Sequence, residues 1–261
     1  VPLANPLQAW FSVLVPDQCR LCEQPLMHFT PVPVCADCLA NLRPLSEARS
    51  CNLCGLPFEE SAALQRTTRC GACMAEPPRF DRARSFGVYE GQLRQLIHLL
   101  KYEKMRPLAG PLADGMAVVL ASFSAPDLLM PVPLFRTRRW QRGFNQALTL
   151  TRELSQRTAI PFDKRTLQRS RATQPQAGLS YAERRRNVQG AFVVSQRHRV
   201  SGRTILVIDD VMTTGATLDA CARSLKAAGA KSVLTLTVAR AKRRLRSVNT
   251  PRVPKAKGQA A

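Results

Sequence analysis

Ten consecutive residues combine two acids, three threonines and a glycine directly after an apolar segment. The hydroxyls of Thr213, Thr214 and Thr217 can donate to a phosphate, and a glycine at 215 lets oxygens approach the backbone closely. Asp209 and Asp210 cannot bind phosphate, but they can accept hydrogen bonds from two neighbouring hydroxyls. Together these groups predict a site for a ribose 5-phosphate. The run is Ile208-Asp209-Asp210-Val211-Met212-Thr213-Thr214-Gly215-Ala216-Thr217.

The flanking pattern predicts how the backbone presents these groups. An uncharged strand over 204–208, a tight loop over 209–215, a helix over 216–228 and a second strand over 232–238 make a βαβ unit. Its strands should be parallel. The loop then lies at the carboxyl end of a strand, where free N–H groups and the helix dipole favour an anion. No Lys follows Gly215, so this is not the GxxxxGK[ST] nucleotide loop.

Further apolar patterns extend an α/β domain over residues 79–241. Apolar residues at helical spacing predict helices over 91–104, 108–121 and 145–157, and short apolar runs predict strands over 83–89, 128–132 and 191–194. We expect one doubly wound parallel sheet. Cys221 falls on the apolar face of the helix that follows the loop, so we interpret it as a core residue.

Eight of the nine cysteines form four CxxC pairs within residues 1–78. A CxxC turn directs two thiolates at one metal, and four thiolates make a closed structural zinc site. We expect two zinc ribbons in sequence, holding about two zinc ions, although the spacing also allows the first pair to join the third. A short helix over 39–45 is expected between the sites, and Glu76-Pro77-Pro78 is the expected linker. The sites would be Cys19, Cys22, Cys35, Cys38 and then Cys51, Cys54, Cys70, Cys73.

The run from Val207 to Thr217 resembles the motif that binds 5-phosphoribosyl pyrophosphate (PRPP) in type I phosphoribosyltransferases. That resemblance implies that the acidic pair holds the ribose hydroxyls, that the threonine turn wraps the 5′-phosphate, and that Mg²⁺ accompanies the pyrophosphate. It also implies the corresponding fold, which here would follow the zinc-ribbon module.

Motifs elsewhere resemble the ComF family of competence proteins. They cover nearly the whole chain except its basic tail. The family includes a protein linked to growth on DNA as a nutrient, often called GntX, and others required for natural transformation. The motifs are Pro131-Val132-Pro133-Leu134, Arg142-Gly143-Phe144-Asn145-Gln146, Ala172 to Leu179 and Arg184-Arg185-Arg186-Asn187-Val188.

The same resemblance suggests partners for the rest of PRPP. By position, the loop over 132–143 would bind the pyrophosphate, and guanidinium groups suit a diphosphate because they donate in a fork. The segment 174–187 resembles the flexible hood of amidophosphoribosyltransferases. Lys101 follows an amphipathic helix and is expected near the same pocket, although a surface position is an equal alternative. The candidates are Arg136, Arg138, Arg142, Lys101, Gln174 and Gln176, with Arg139 beside them.

A formal net charge of +21 favours polyanionic partners. No acid follows Asp219, and residues 242–261 are expected to be a disordered basic tail. No apolar run approaches the ~20 residues of a membrane span, and no secretory signal is evident, so we expect a cytoplasmic protein without membrane insertion.

Two functions compete on these observations. The first is a PRPP-dependent transferase with an unknown acceptor, since nothing resembles a glutaminase domain. The second is a non-catalytic, PRPP-sensing adaptor that binds single-stranded DNA or proteins of the uptake machinery. For the adaptor, the expected DNA surface is the basic region over 136–186, with Trp140, Phe144 and Tyr181 available for stacking. A purely structural zinc protein would leave the Asp-Asp-Thr-Thr-Gly run unexplained.

Overall fold

The computed structural model describes residues 18–26, 31–58, 68–135, 143–174 and 180–242. Over these residues the α-helices are α1 (Ala36–Ala40), α2 (Gly71–Ala75), α3 (Gly91–Tyr102), α4 (Ala109–Leu120), α5 (Gln146–Thr158), α6 (Tyr181–Val188) and α7 (Ala216–Ala227). The strands are β1 (Arg82–Val88), β2 (Leu128–Pro131), β3 (Leu167–Arg169), β4 (Phe192–Val194), β5 (Thr204–Met212) and β6 (Ser232–Arg240).

The central sheet is parallel throughout, as the sequence predicts. Its four strands have the order β1-β6-β5-β2, so β5 is an inner strand with β2 and β6 on either side. The pairs β1–β6, β2–β5 and β5–β6 are all parallel. Strands β3 and β4, by contrast, form a separate antiparallel pair. The sequence analysis predicted β4 but missed β3, a strand of only three residues.

Alternate side chains of β5 enter the cores on opposite faces of the sheet. Ile205 and Val207 belong to a cluster that also contains Leu218, Cys221 and Leu225 of α7. Their neighbours Leu206 and Ile208 belong to the second cluster, with residues of α3, α4 and α5. This two-residue period is what a strand buried on both faces requires. Helices therefore cover both sides of the sheet. Residues 205–208 of β5 are packed on both faces, directly before Asp209 and Asp210.

The cysteine-rich module packs on the exposed edge of β1. The N–H of Leu45 donates to the carbonyl of Phe86 at 2.6 Å, and the N–H of Ala83 donates to the carbonyl of Leu53 at 2.8 Å. The cysteines of each ribbon also join one of the two buried clusters of the α/β domain. Because an uncovered edge strand invites pairing with other chains, the module closes the sheet as well as carrying its own sites.

Two predicted boundaries are wrong. The short helix lies at Ala36–Ala40 and not over 39–45. Its first turn is capped by the sulfur of Cys35, and Pro44 disfavours helical backbone at the residue before it. The predicted loop over 209–215 is also too long, because β5 continues to Met212 through its pairing with β6. Both acids therefore lie on the strand, and only residues 213–215 form the turn.

Every helix in the described ranges is too short or too polar to traverse a bilayer.

Candidate phosphoribosyl site and cysteine clusters

The acidic pair lies at the carboxyl end of β5, and the side chains of the two residues differ in environment. Asp210 is buried, whereas Asp209 is half-buried, as expected for neighbours on a strand. The Asp209 carboxylate accepts a hydrogen bond from the N–H of Asp210 at 2.9 Å. Both residues line one cavity, so their carboxylates are placed to accept hydrogen bonds from a ligand's hydroxyls.

The turn after β5 depends on a glycine. Gly215 has φ +81° and ψ −1°, in the left-handed region. A Cβ at this position would lie 2.7 Å from the terminal methyl of Met212. Helix α7 begins at the next residue, so the positive end of its dipole faces the turn. The arrangement therefore brings the positive end of the helix and threonine hydroxyls together, as binding a phosphate requires.

Lys101 of α3 enters the site beside the acidic pair. Its Nζ lies 2.9 Å from Oδ1 of Asp210, and the two side chains are only 13% and 11% exposed. Burial lowers the pKa of Lys101, but Asp210 and, after it, Asp209 hold that pKa above its ordinary value. The ammonium group is therefore charged at neutral pH and compensates one of the two carboxylates.

One cavity of about 230 Å³ collects most of these groups. It includes Asp209, Asp210, Lys101 and the turn residues other than Thr214. Sequence reasoning missed Tyr89, the residue after β1, and Arg169 of β3, because the two have no spacing signal in common. Gln146, by contrast, belongs to the ComF motif over 142–146. The lining also includes Val132, Leu134, Asn145, Ala147, Val211, Met212, Thr213, Gly215, Ala216, Thr217 and Leu218.

A larger cavity of about 1170 Å³ adjoins the first and shares Tyr89 and part of the threonine turn with it. Its opposite wall is formed by the second cysteine cluster and by α6. Arg185 of α6 bonds Glu76 of the predicted linker and lies 3.8 Å from Asp219 of α7. Ser180 and Glu183 form a reciprocal capping box at the start of the helix. Helix α6 is thus anchored to the linker and to α7, and it lines the same cavity as the turn.

Of the other predicted site residues, some lie outside the described residues and others lie away from the two cavities. Arg136, Arg138, Arg139, Arg142, Trp140, Gln176 and the side chain of Tyr181 lie outside the described residues. Gln174 is described but does not line either cavity; its N–H donates to Oδ1 of Asn187 at 3.1 Å. Phe144 is wrong as a stacking residue, because it is buried in the core beneath the guanidinium of Arg106. Asn145 caps α5 and donates to the carbonyl of Val132 at 3.1 Å.

The four CxxC pairs form two four-sulfur clusters in the described chain. Within each cluster all Sγ atoms lie within 4.8 Å of one another. This confirms the sequential pairing and rejects the interleaved one. The distances Cys19–Cys38 (3.9 Å), Cys22–Cys35 (3.7 Å) and Cys54–Cys70 (3.7 Å) fit a tetrahedral zinc site, whose sulfurs are about 3.8 Å apart.

Backbone N–H groups already point at the sulfurs. The N–H of Cys35 lies 3.4 Å from Sγ of Cys19, and the N–H of Cys70 lies 3.3 Å from Sγ of Cys51. Such bonds stabilise thiolates and orient them, as the second shell of a metal site does. The residues therefore fit structural zinc in both clusters. Cys221, the ninth cysteine, is fully buried in the core, and burial raises the pKa of its thiol well above the ordinary value, as expected for an inert side chain.

Two family models match the chain and define its class. The double zinc ribbon domain matches residues 10–74, and the phosphoribosyl transferase domain matches residues 141–253. The chain is a double zinc ribbon joined to a type I phosphoribosyltransferase fold.

Curated relatives narrow the class to a family. The chain is 34% identical to DNA utilization protein YhgH of Escherichia coli O157:H7, across 84% of this chain and 95% of the relative. It is 28% identical to competence protein F of Haemophilus influenzae, over 82% and 93% of the two chains. Competence protein ComFC of Bacillus subtilis is 25% identical over 79% and 84%. The chain belongs to the ComF family, which these DNA utilization and competence proteins represent.

Two solved structures are similar to about half of the chain. A glutamine PRPP amidotransferase from B. subtilis covers 50% of this chain at 19% identity with a TM-score of 0.34, and the chain spans only 26% of that protein. A hypoxanthine phosphoribosyltransferase from Trypanosoma cruzi covers 52% at 18% identity with a TM-score of 0.32.

Proposed function

We propose that this protein binds PRPP at the end of β5 and acts as a phosphoribosyltransferase-like protein in DNA uptake or in the use of DNA as a nutrient. One observation carries the PRPP assignment. Two carboxylates and a glycine-dependent anion turn border one cavity at the carboxyl end of an inner parallel strand. Hydroxyl acceptors on one side and phosphate donors on the other match the two ends of a ribose 5-phosphate.

The proposed roles follow from each group's chemistry. Asp209 and Asp210 accept hydrogen bonds from the ribose hydroxyls, and residues 213–217 hold the 5′-phosphate. Mg²⁺ on the pyrophosphate would supply charge neutralisation, with Lys101, Arg169 and the arginines of 136–142 as cationic partners from the protein. Displacement at C1 would then depend on positioning and electrostatic stabilisation. The larger cavity adjoins this centre and has room for an acceptor.

The DNA-related role comes from the relatives and from charge. The relatives' names refer to DNA utilization and competence. A net charge of +21 favours contact with a polyanion. A cytoplasmic location is proposed with it, because a reducing compartment keeps zinc-binding thiols reduced.

The alternative is a PRPP-sensing adaptor that does not turn PRPP over. The observation that favours it is the net charge of +21, which a nucleic-acid-binding adaptor uses and a transferase acting on a small molecule does not need. The adaptor would bind single-stranded DNA or uptake proteins and use PRPP as a signal.

Calorimetric titration with PRPP and Mg²⁺ tests the binding site. We expect wild type to bind and the Asp209→Asn/Asp210→Asn variant to bind at least about tenfold more weakly. Asp163→Asn is the matched control, because Asp163 is also a buried acid but caps the residues before β3. Absence of heat from the zinc-loaded wild type would refute PRPP binding.

Two further assays separate the candidate functions. Pyrophosphate release over a panel of nucleobases and amines is expected for a transferase and not for a sensor. Direct DNA binding predicts that log K for single-stranded DNA falls with log[salt] by about 0.7 per phosphate contacted. A slope near zero would argue against a phosphate-dominated DNA surface.

A further inference from the structure

A buried arginine joins the second cysteine cluster to the turn of the proposed PRPP site. Arg240, the last residue of β6, is only 4% exposed. On one side its Nε donates to the carbonyl of Cys54 at 3.2 Å, and Nη2 lies 3.9 Å from the Cys54 sulfur. On the other side Nη1 donates to the carbonyls of Met212, at 2.9 Å, and Thr213. A single planar group therefore bonds both structures.

A guanidinium suits both halves of this contact. Four thiolates around one zinc ion leave the cluster with a net negative charge, which a buried cation offsets. The N–H groups of the guanidinium also lie in one plane and donate in several fixed directions, whereas the N–H groups of a Lys ammonium do not. The position of the Cys54 loop thus restricts the position of the turn, and the turn restricts the loop in the same way.

Contacts to the carbonyls of the turn decide where its N–H groups point. In a trans peptide the C=O and the following N–H lie in one plane and point in opposite directions. When Arg240 holds the carbonyls of Met212 and Thr213, the N–H groups of Thr213 and Thr214 are directed away from the guanidinium. Among the described residues no backbone oxygen accepts a hydrogen bond from either of them. Free N–H groups in a turn are what an anion binds.

We propose that Arg240 is a positioning residue that couples zinc in the second cluster to anion binding by residues 213–217, which comprise the turn and the start of α7. Zinc fixes the Cys54 loop, the loop fixes Arg240, and Arg240 orients the peptide planes of the turn. Because coupling between two sites is reciprocal, a bound PRPP phosphate also slows loss of zinc from the second cluster. The inference rests on the proposed function for its ligand, but the orientation of the turn by Arg240 is a separate claim.

A second buried arginine near the same cluster provides the control. Arg84 is 5% exposed and donates to the carbonyl of Asn52, between the first two cysteines of the cluster. Its other partners are the carbonyl of Ala83 and the carboxylate of Glu47, and none of its contacts in the described part of the chain reaches the turn. Replacing Arg84 therefore removes a buried guanidinium beside the cluster without removing the link to residues 212–213.

The test compares full-length, zinc-loaded wild type with Arg240→Met, Arg240→Lys and Arg84→Met. Zinc content, zinc release to a chromogenic chelator, PRPP affinity and amide hydrogen exchange over 212–217 are measured for each. We expect Arg240→Met to retain a folded sheet, to bind PRPP about tenfold more weakly and to exchange faster over 212–217. Arg240→Lys should show the same changes to a smaller extent, which keeps the test valid if the Met variant does not fold. Arg84→Met should leave PRPP affinity and exchange over 212–217 unchanged.

The outcomes separate the two proposals. If wild type fails to bind PRPP, the proposed function fails, and faster zinc release and hydrogen exchange in the Arg240 variants still support the coupling. If wild type binds PRPP and the folded Arg240 variants match it in affinity, zinc release and exchange, the coupling is overturned while the proposed function stands. If PRPP slows zinc release from wild type and does not slow it in Arg240→Lys, the reciprocal effect is supported.

Discussion

The ammonium of Lys101 lies 2.9 Å from the carboxylate of Asp210, and both side chains are almost enclosed. The two residues come from α3 and β5, more than a hundred positions apart in the sequence. Asp210, an acid of the proposed ribose site, is already paired in the free protein. Any ligand hydroxyl that donates a hydrogen bond to Asp210 must therefore share its carboxylate with Lys101. The pair therefore connects stability of the domain with binding at the site.

Replacing Lys101 by Met should destabilise the fold by about 3 kcal/mol, because the Asp210 charge is left buried without its partner. Equilibrium urea unfolding measures the loss. Lys242→Met is the matched control: Lys242 pairs with Glu90 at 2.8 Å, but these side chains are 60% and 57% exposed. That exposed pair should contribute less than about 1 kcal/mol. Equal losses of unfolding free energy in the two variants would show that burial of the Lys101–Asp210 pair does not increase its contribution.

The stabilisation from Lys101 should depend on pH in one direction. Although burial lowers the pKa of Lys101, Asp210 and Asp209 hold it above the ordinary value of 10.5 in the folded protein. A raised folded-state pKa means that the contribution is complete below the unfolded-state pKa and is lost as pH rises through the folded-state pKa. The stability difference between wild type and Lys101→Met should thus be constant from pH 7 to about pH 9 and shrink above about pH 11. A difference that grows with pH would contradict the assignment.

Much of this site was predictable from local sequence. The acidic pair and the threonine turn lie within ten residues, and the βαβ unit around them is continuous in sequence from 204 to 238. The strand period, the start of the helix and the position of the glycine could therefore be recognised together. The four CxxC pairs could be recognised as metal ligands because the two cysteines of each pair are also close in sequence. The sequential pairing of the cysteines, however, needed the fold.

Contacts between distant elements were not predictable. Arg169 lies on β3, outside the central sheet, and Tyr89 is the residue after β1. Tertiary packing alone brings them to the cavity, and neither has a neighbour in sequence that marks it. The end of β5 was placed too early because pairing with β6, and not intrinsic propensity, keeps Asp209 to Met212 extended. The link through Arg240 likewise joins residues 186 positions apart, from Cys54 to β6.

The glycine of the turn should be required for binding. Gly215→Ala places a side chain at φ +81°, which strains the backbone of the turn, and a Cβ 2.7 Å from the Met212 methyl, which must move away. Gly229→Ala is the control, because Gly229 has φ +94° and a Cβ would lie 3.1 Å from Oγ of Ser201, away from the site. Both variants should lose about 1–2 kcal/mol of stability by urea unfolding. Only Gly215→Ala should also lose PRPP affinity by calorimetry, and equal affinities in the two variants would remove the turn from the proposed site.

The two cysteine clusters should release zinc at different rates. Cys22 is exposed and Cys35 is half-buried in the first cluster, whereas all four cysteines of the second cluster are buried. A chelator reaches exposed thiolates more readily, so release followed by a chromogenic chelator should show a fast and a slow phase of one zinc each. Cys22→Ser should abolish the fast phase and Cys54→Ser the slow phase. Elemental analysis should give about two zinc ions per chain in wild type and about one in each variant, since each cluster supplies one closed four-thiolate site. A single phase lost equally in both variants would show that the clusters do not bind metal independently.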